Sequence, residues 1–349
     1  MEILRSSLFD LDYQELKDQI QDWNEPSYRA QQIWQGLYQN YWNNSDDFSS
    51  IPISLRKEIN NKFKLSGLFS ERELHSTDGF TRKILYRLGD NSAIETVLME
   101  YEDRNTVCIS SQVGCGMGCN FCATGNMGFI RNLSRGEIVE QVIKTAADLA
   151  QDGKSLTNVV FMGMGEPFHN YTQVMEAVRI LNNPDGFGMG ARRFTISTVG
   201  LVPGINRFTE ENSQINLAIS LHAADDELRS SIVPINQKYP ISELMEACRN
   251  YIQNRNRRIT FEWALIEGVN DTGEQAQKLS SLIDSMLAHV NLIQLNPVPH
   301  YSGKPAAKKN VLNFQKILTD SGVACTIRLR RGIDIQAGCG QLASESNLS

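Results

Sequence analysis

Three cysteines stand close together in the segment Gly114-Cys115-Gly116-Met117-Gly118-Cys119-Asn120-Phe121-Cys122, spaced C-x3-C-x2-C. Cysteine thiolates are ligands for iron and zinc. The interleaved Gly114, Gly116 and Gly118 supply the φ > 0 turns that a short loop needs to wrap a compact inorganic centre. Three such thiolates can hold three irons of a 4Fe-4S cube, a centre normally held by four. The remaining iron is then open to another ligand. The same residues have two other uses: a set of buried structural cysteines, or a zinc site completed by Cys108. Structural zinc loops usually come as two separated pairs, which this segment lacks, so the cluster is favoured.

A second group follows at intervals. Gly163-Met164-Gly165-Glu166-Pro167 combines glycines, which let a backbone approach a ligand, with a carboxylate that can accept hydrogen bonds from an ammonium group. It does not continue into the Gly-x-Gly-x-x-Gly dinucleotide pattern. Ser197, Ser220, His222 and Asn296 are hydroxyl, imidazole and amide groups suited to a ribose, a carboxylate and an adenine edge. Cys339 lies between Gly338 and Gly340. That setting fits an exposed, mobile loop, and a reactive role would need its thiolate. Cys248 and Cys325 suit the core as small hydrophobes.

Positioning these groups requires an alternation of elements. Residues 1–65 read as helical, with Leu11–Trp23, Ser27–Trp42 and a helix after Pro52, and with Ser27, Asp46 and Ser54 as expected caps. Trp34, Tyr38 and Trp42 are expected in the core of that bundle. Thr81–Leu88 and Ala93–Met99 alternate around Gly89-Asp90-Asn91, a β-hairpin signal. From Thr106 onward, short apolar strands alternate with helical runs. The strands are Thr106–Ser110, Asn158–Met162, Arg193–Thr198, Ile215–Leu221, Ile259–Leu265 and Asn291–Leu295, with a last one at Cys325–Arg330. Six βα units predict an α/β fold, an open, partial (β/α)6 barrel, with chemistry at the C-terminal strand ends. The expected divisions are a helical accessory domain at 1–75, a hairpin extension at 76–100, the barrel core at 101–340 and a tail at 341–349.

The chain has 349 residues, 41% hydrophobic and 21% charged, with net charge −6. This composition fits a globular protein with a substantial core and argues against a general nucleic-acid binder. No apolar run approaches the roughly 18 residues of a membrane span. Seven cysteines, three of them clustered, and an N-terminus without a secretory pattern point to the cytoplasm.

One combination is specific. Cys108-Ile-Ser-Ser-Gln-Val-Gly-Cys115, Cys119, Phe121-Cys122, Gly163-Met-Gly-Glu166-Pro, Ser220-Leu-His222 and Gly338-Cys339-Gly340-Gln341-Leu together resemble the dual-specificity RNA (adenine-C2)-methyltransferases. These belong to the radical S-adenosylmethionine (SAM) enzymes, and the resemblance covers nearly the whole chain. It implies methylation of carbon 2 of adenine 2503 in 23S rRNA and of adenine 37 in tRNAs. It implies a 4Fe-4S cluster on Cys115, Cys119 and Cys122. It implies SAM bound by Gly165, Glu166, Ser197, Ser220, Leu221, His222 and Asn296. Cys339 would carry the methyl group, Cys108 would be its disulfide partner, and Glu95 matches a proton acceptor. Carbon 2 of adenine is electrophilic and cannot displace a methyl group from SAM. The implied route therefore uses two SAM per turnover. One methylates Cys339. The other yields a 5′-deoxyadenosyl radical that takes a hydrogen from that methyl. The resulting carbon radical adds to C2, and a transient Cys108–Cys339 disulfide releases the base. A monomer served by an electron donor such as flavodoxin or ferredoxin is expected. Arg328, Arg330 and Arg331 are expected to contact phosphates. Rival readings are a sister enzyme methylating carbon 8, a radical SAM enzyme of small molecules, and a zinc-stabilised RNA-binding module.

Overall fold

The computed structural model describes residues 5–343. Helices α1 (Tyr13–Asp22), α2 (Tyr28–Tyr38) and α3 (Ile53–Lys62) form the N-terminal bundle. α1 opens on a capping box. The Asp12 carboxylate accepts the Glu15 N–H at 2.8 Å, and Glu15 accepts the Asp12 N–H at 2.8 Å, which satisfies two end donors of the helix. The expected caps are not used: Ser27 makes no side-chain cap bond, α3 follows Pro52 with Ser54 inside it, and Asp46 lies in a turn. Trp34 and Tyr38 are buried in the core with ring centroids 4.3 Å apart. Trp42 is only partly buried and packs on Phe48 at 4.8 Å.

Strand β1 (Leu68–His75) falls in the stretch expected to be helical. It alternates poorly, with one buried residue and a mostly exposed remainder, so its sequence carries little strand signal. It pairs antiparallel with β2 (Thr81–Leu88), which pairs with β3 (Ala93–Glu100), the expected hairpin. β4 (Asn105–Cys108) pairs antiparallel with β3. A small second sheet, β5 (Gln112–Gly114) with β6 (Phe129–Asn132), brackets the short helix α4 (Ala123–Asn126). Then α5 (Arg135–Gln151) leads to β7 (Asn158–Phe161), and α6 (Tyr171–Asn182) to β8 (Phe194–Thr198). α7 (Val202–Glu210) leads to β9 (Asn216–Ser220), and α8 (Asp226–Ile232) with α9 (Ile241–Arg255) to β10 (Ile259–Leu265). α10 (Gly273–Leu282) leads to β11 (Ala288–Gln294), and α11 (Lys308–Asp320) to β12 (Cys325–Ile327).

The strand order is β1-β2-β3-β4-β7-β8-β9-β10-β11-β12. Pairings from β4 to β12 are parallel, those from β1 to β4 antiparallel. β12 and β1 end the sheet without pairing to each other. The barrel is thus open on one side, as a partial (β/α) barrel requires, and the hairpin extends one edge. Among the described residues, no helix is long and apolar enough to cross a membrane.

One carboxylate ties the bundle's exit to the barrel. Glu140 on α5 is 1% exposed and accepts the N–H groups of Gly67 at 2.8 Å and Leu68 at 3.3 Å, and the Ser66 hydroxyl. Lys144 lies 3.6 Å away. Glu140→Ala would leave two buried N–H groups without acceptors, so it should cost about 2–3 kcal/mol. A denaturant melt of the full chain measures this, and an unchanged midpoint would count against the role of Glu140.

Candidate active site

The cysteine loop is held by the β5–β6 pair. The Cys115 N–H donates to the Gly128 carbonyl at 2.8 Å, and that of Cys122 to Cys119 at 3.1 Å. Gly114 sits at φ +72°, and a Cβ there would fall 1.9 Å from the Gly128 oxygen, so only glycine allows the two loop stems to meet. Cys115, Cys119 and Cys122 line one cleft at the C-terminal ends of the strands. Gly165, Glu166, Ser197, Ser220, His222, Asn296 and Cys339 line the same cleft. Burial pushes the Cys115 thiol up to about 12 and raises Cys119 and Cys122 as well, and each of the three is raised further by a neighbouring thiol. Three neighbouring buried thiols without a metal cation are therefore costly to ionise. An iron centre supplies the missing positive charge, so this donor set fits a cluster.

The polar residues around the cleft are locked by backbone contacts. Glu166 is 2% exposed and accepts the N–H groups of Phe168 and Val199, both at 2.9 Å. Gly165, at φ +101°, lies so close to Gln112 that a Cβ would approach it to 2.6 Å. His222 Nδ1 accepts the Ala264 N–H at 3.0 Å, which leaves Nε2 as the protonated nitrogen of the neutral ring. Burial lowers its pKa to about 3, and the ring meets Phe121 edge-on at 4.9 Å. Ser197 and Ser220 place their hydroxyls 3.4 Å apart. Leu221 does not line the cleft: its side chain is fully buried in the core, and its carbonyl accepts from Arg229 at 3.0 Å.

A second cleft adjoins the first. Cys108 lines it together with Met99, Tyr101 and Arg331. Cys339, Arg328, Asn296, Met162, Ile293 and Leu342 line both clefts and form the wall between them. Cys108 therefore faces Cys339 rather than the other three cysteines, which breaks up the four-cysteine zinc set. Among the described residues, no three His, Cys, Asp or Glu side chains converge to hold a single ion.

Residues 109–279 match the radical SAM superfamily, and residues 6–65 match the ribosomal RNA large subunit methyltransferase N-terminal domain. A probable dual-specificity RNA methyltransferase RlmN of Chloroflexus aurantiacus is 47% identical over 355 residues, covering 98% of this chain and 93% of the relative. The chain belongs to the RlmN family. A dual-specificity RNA methyltransferase RlmN 1 of Myxococcus xanthus is also 47% identical, over 97% of this chain and 94% of its own. A crystal structure of a radical SAM methyltransferase from Sphaerobacter thermophilus superposes with a TM-score of 0.95 at 47% identity, over 97% of this chain and 99% of that one. As in the radical SAM superfamily generally, the site is built for a 4Fe-4S cluster and SAM.

Three placements depart from the sequence reading or were absent from it. Arg328 is not an outward phosphate contact. It is half-buried in the wall between the clefts, and its pKa is raised first by Cys339 and also by Glu262 and Cys108. The alternation of basic and apolar residues in the last strand hides which face each arginine takes. Glu95 lines neither cleft. It is 1% exposed, paired with Lys83 at 2.9 Å, and accepts the Ala343 N–H at 2.9 Å. Arg229 had no signal in the sequence. It is fully buried and binds the Val199 carbonyl at 2.6 Å, Leu221 at 3.0 Å and Asn236 at 2.8 Å, joining the ends of β8 and β9.

Burial raises the Glu166 pKa from 4.5 to about 7, against the N–H groups of Val199 and Phe168. Below that value the carboxyl is protonated and cannot pair with an ammonium group. The resemblance assigns the ammonium group of SAM to Glu166, so on that assignment SAM affinity should rise as pH climbs through about 7 and then level off. The contribution to folding runs the other way. A folded pKa above the unfolded one means stability is lost as pH rises between the two. Calorimetric SAM titrations between about pH 6 and pH 8 test the first statement. A flat profile, or an unchanged slope in Glu166→Gln, would contradict it.

Proposed function

We propose that this chain methylates carbon 2 of adenine 2503 in 23S rRNA and of adenine 37 in tRNAs. The methyl group would travel on Cys339, and a transient Cys108–Cys339 disulfide would free the product. The observation that carries the reading is the shared wall: Cys339 lines both the cleft of the three clustered cysteines and the cleft of Cys108. A carrier thiol must reach a methyl donor on one side and its resolving partner on the other. The relatives' names, dual-specificity RNA methyltransferase, support the same substrate class.

When bound, the cluster and two SAM molecules per turnover would supply the methyl group and the one-electron cleavage chemistry. The chain's own residues do the rest. Glu166 would hold the amino group of SAM, Ser197 and Ser220 its ribose, and His222 and Asn296 its polar edges. Burial pushes the Cys108 thiol up to about 12, with the Cys339 thiol second among the causes. Cys108 thus stays protonated and does not compete for the methyl group, which leaves the exposed Cys339 as acceptor. The Arg328 guanidinium sits in the wall beside both and offers a counter-charge to either thiolate. Glu95 is the reserve proton acceptor, covered as the chain stands.

RNA fits the open side. Arg331 lies over the Phe80 ring at 5.3 Å and over Tyr101 at 4.5 Å, and Arg104 lies over Tyr101 at 4.2 Å. Such alternating guanidinium and aromatic planes suit unpaired bases, and RNA is read mostly where a base can be splayed out. A flipped adenine would enter beside Cys339. A cytoplasmic monomer fed by flavodoxin or ferredoxin completes the reading.

The test is anaerobic incubation of reconstituted protein with SAM, reductant and an rRNA fragment, followed by nucleoside mass spectrometry. 2-Methyladenosine is expected from the wild type and none from Cys339→Ala. 8-Methyladenosine would identify the sister chemistry. SAM cleavage without methylated RNA would sink the RNA assignment.

A further inference from the structure

The β2–β3 hairpin grips the Cys339 loop at both ends. Lys83 on β2 and Glu95 on β3 form an ion pair of 2.9 Å, their side chains 7% and 1% exposed. The Lys83 ammonium also donates to the Gln336 carbonyl at 3.2 Å. The second oxygen of Glu95 accepts the Ala343 N–H at 2.9 Å. Gln336 lies three residues before Cys339 and Ala343 four residues after it. Lys83 pairs with Val97 across the hairpin, and Val97 with Cys108. Directly opposed residues share a face, as do residues two apart on one strand. Lys83, Glu95 and Cys108 therefore point to the same side of the sheet, toward the loop.

An ion pair taken out of water is costly unless its remaining hydrogen-bonding capacity is met. Here the loop backbone meets it, with one carbonyl for the ammonium and one N–H for the carboxylate. The pair and the loop thus hold each other in place. Between the two anchors the loop is irregular, and Gln336 takes a left-handed φ of +53°.

We propose that the Lys83–Glu95 pair is the latch of the Cys339 loop, fixing both of its ends and keeping Glu95 covered until the Ala343 end lets go. This deepens the proposed function and rests on it for purpose, because a methyl-carrying Cys339 must face one cleft and then the other. Withdrawal of the Ala343 N–H removes a donor that stabilises the Glu95 charge. The proton affinity of Glu95 then rises just as its oxygen is uncovered. Movement of the carrier and preparation of the proton acceptor become one event. Lys83 is a positioning residue, since it touches the loop and not the reacting atoms.

The experiment reads the loop without requiring turnover. Cluster-loaded protein is treated with iodoacetamide, and alkylation of Cys339 is followed by peptide mass spectrometry. Lys83→Met should speed alkylation about tenfold by freeing the loop's ends. Lys83→Arg should recover most of the wild-type rate, because a guanidinium can still span Glu95 and the Gln336 carbonyl. Ile84→Ala is the control for simple loosening: Ile84 is buried in the core on the opposite face of β2, and the substitution removes core volume while sparing the latch atoms. Its alkylation rate should stay at the wild-type level despite a lower melting temperature. A folded Lys83→Met protein that alkylates at the wild-type rate overturns the latch. So does equal acceleration in Ile84→Ala. Failure of the wild type to methylate RNA would overturn the proposed function and leave these rates as they are.

Discussion

The site depends on two loops from opposite ends of the chain meeting through their backbones. The Ala123 N–H, next to Cys122, donates to the Gly340 carbonyl at 2.7 Å. The Thr124 hydroxyl donates to the Leu342 carbonyl, and the Asn296 amide to the Cys339 carbonyl at 3.0 Å. These bonds fix Cys339 beside the cysteine loop. Separating the loops would exchange all three bonds for bonds to water at once. The open barrel makes the meeting possible. Because β12 does not close onto β1, the chain after β12 is free to fold back across the strand ends.

The charge inside this site runs against the charge of the whole chain. The protein is acidic, at −6, yet the wall between the clefts carries Arg328, and Arg229 lies buried behind the strand ends. Both cations are held by contacts available only in the fold. Burial pulls the Arg229 pKa down to about 10, and four carbonyl-type acceptors, on Val199, Ser220, Leu221 and Asn236, offset that cost. Arg328 has thiols and the Glu262 carboxylate around it. Glu262 accepts from Asn291 at 3.0 Å through one oxygen, while the other is buried without a partner among the described residues. A buried carboxylate facing a guanidinium keeps the wall near neutral.

What could be read from the sequence is what is local. The C-x3-C-x2-C spacing, the Gly-Met-Gly-Glu-Pro turn and the β2–β3 hairpin are carried by neighbouring residues, and each stands where its pattern put it. The barrel strands follow from apolar runs of the right length. What could not be read is contact between distant segments. Leu221 follows the cleft serine Ser220, yet strand alternation turns it into the core. Glu95 looked like a group on the reacting side, but its neighbours there are Lys83 and Ala343, the latter at the far end of the chain. Lys83 falls in register with Thr81, Leu85 and Arg87, the less apolar face of β2, so the alternation marks it as an ordinary polar position and gives no signal for the ion pair. β1 was lost because a strand with an exposed face and an irregular register leaves little periodicity to detect.

The partition into two clefts bears on the order of events in the proposed reaction. A single cavity would let any thiol meet any partner, and Cys108 and Cys339 could then join before a methyl group was ever loaded. Instead Cys108 is buried in the second cleft with its thiol kept protonated, and Cys339 is the exposed member of the pair. An exposed thiol next to a guanidinium reacts first with whatever the first cleft holds. Cys339 already lines both clefts, so on the proposed route it would turn toward Cys108 by easing the Asn296 and Ala123 contacts of its loop. On that route the backbone bonds that assemble the site would also delay the disulfide.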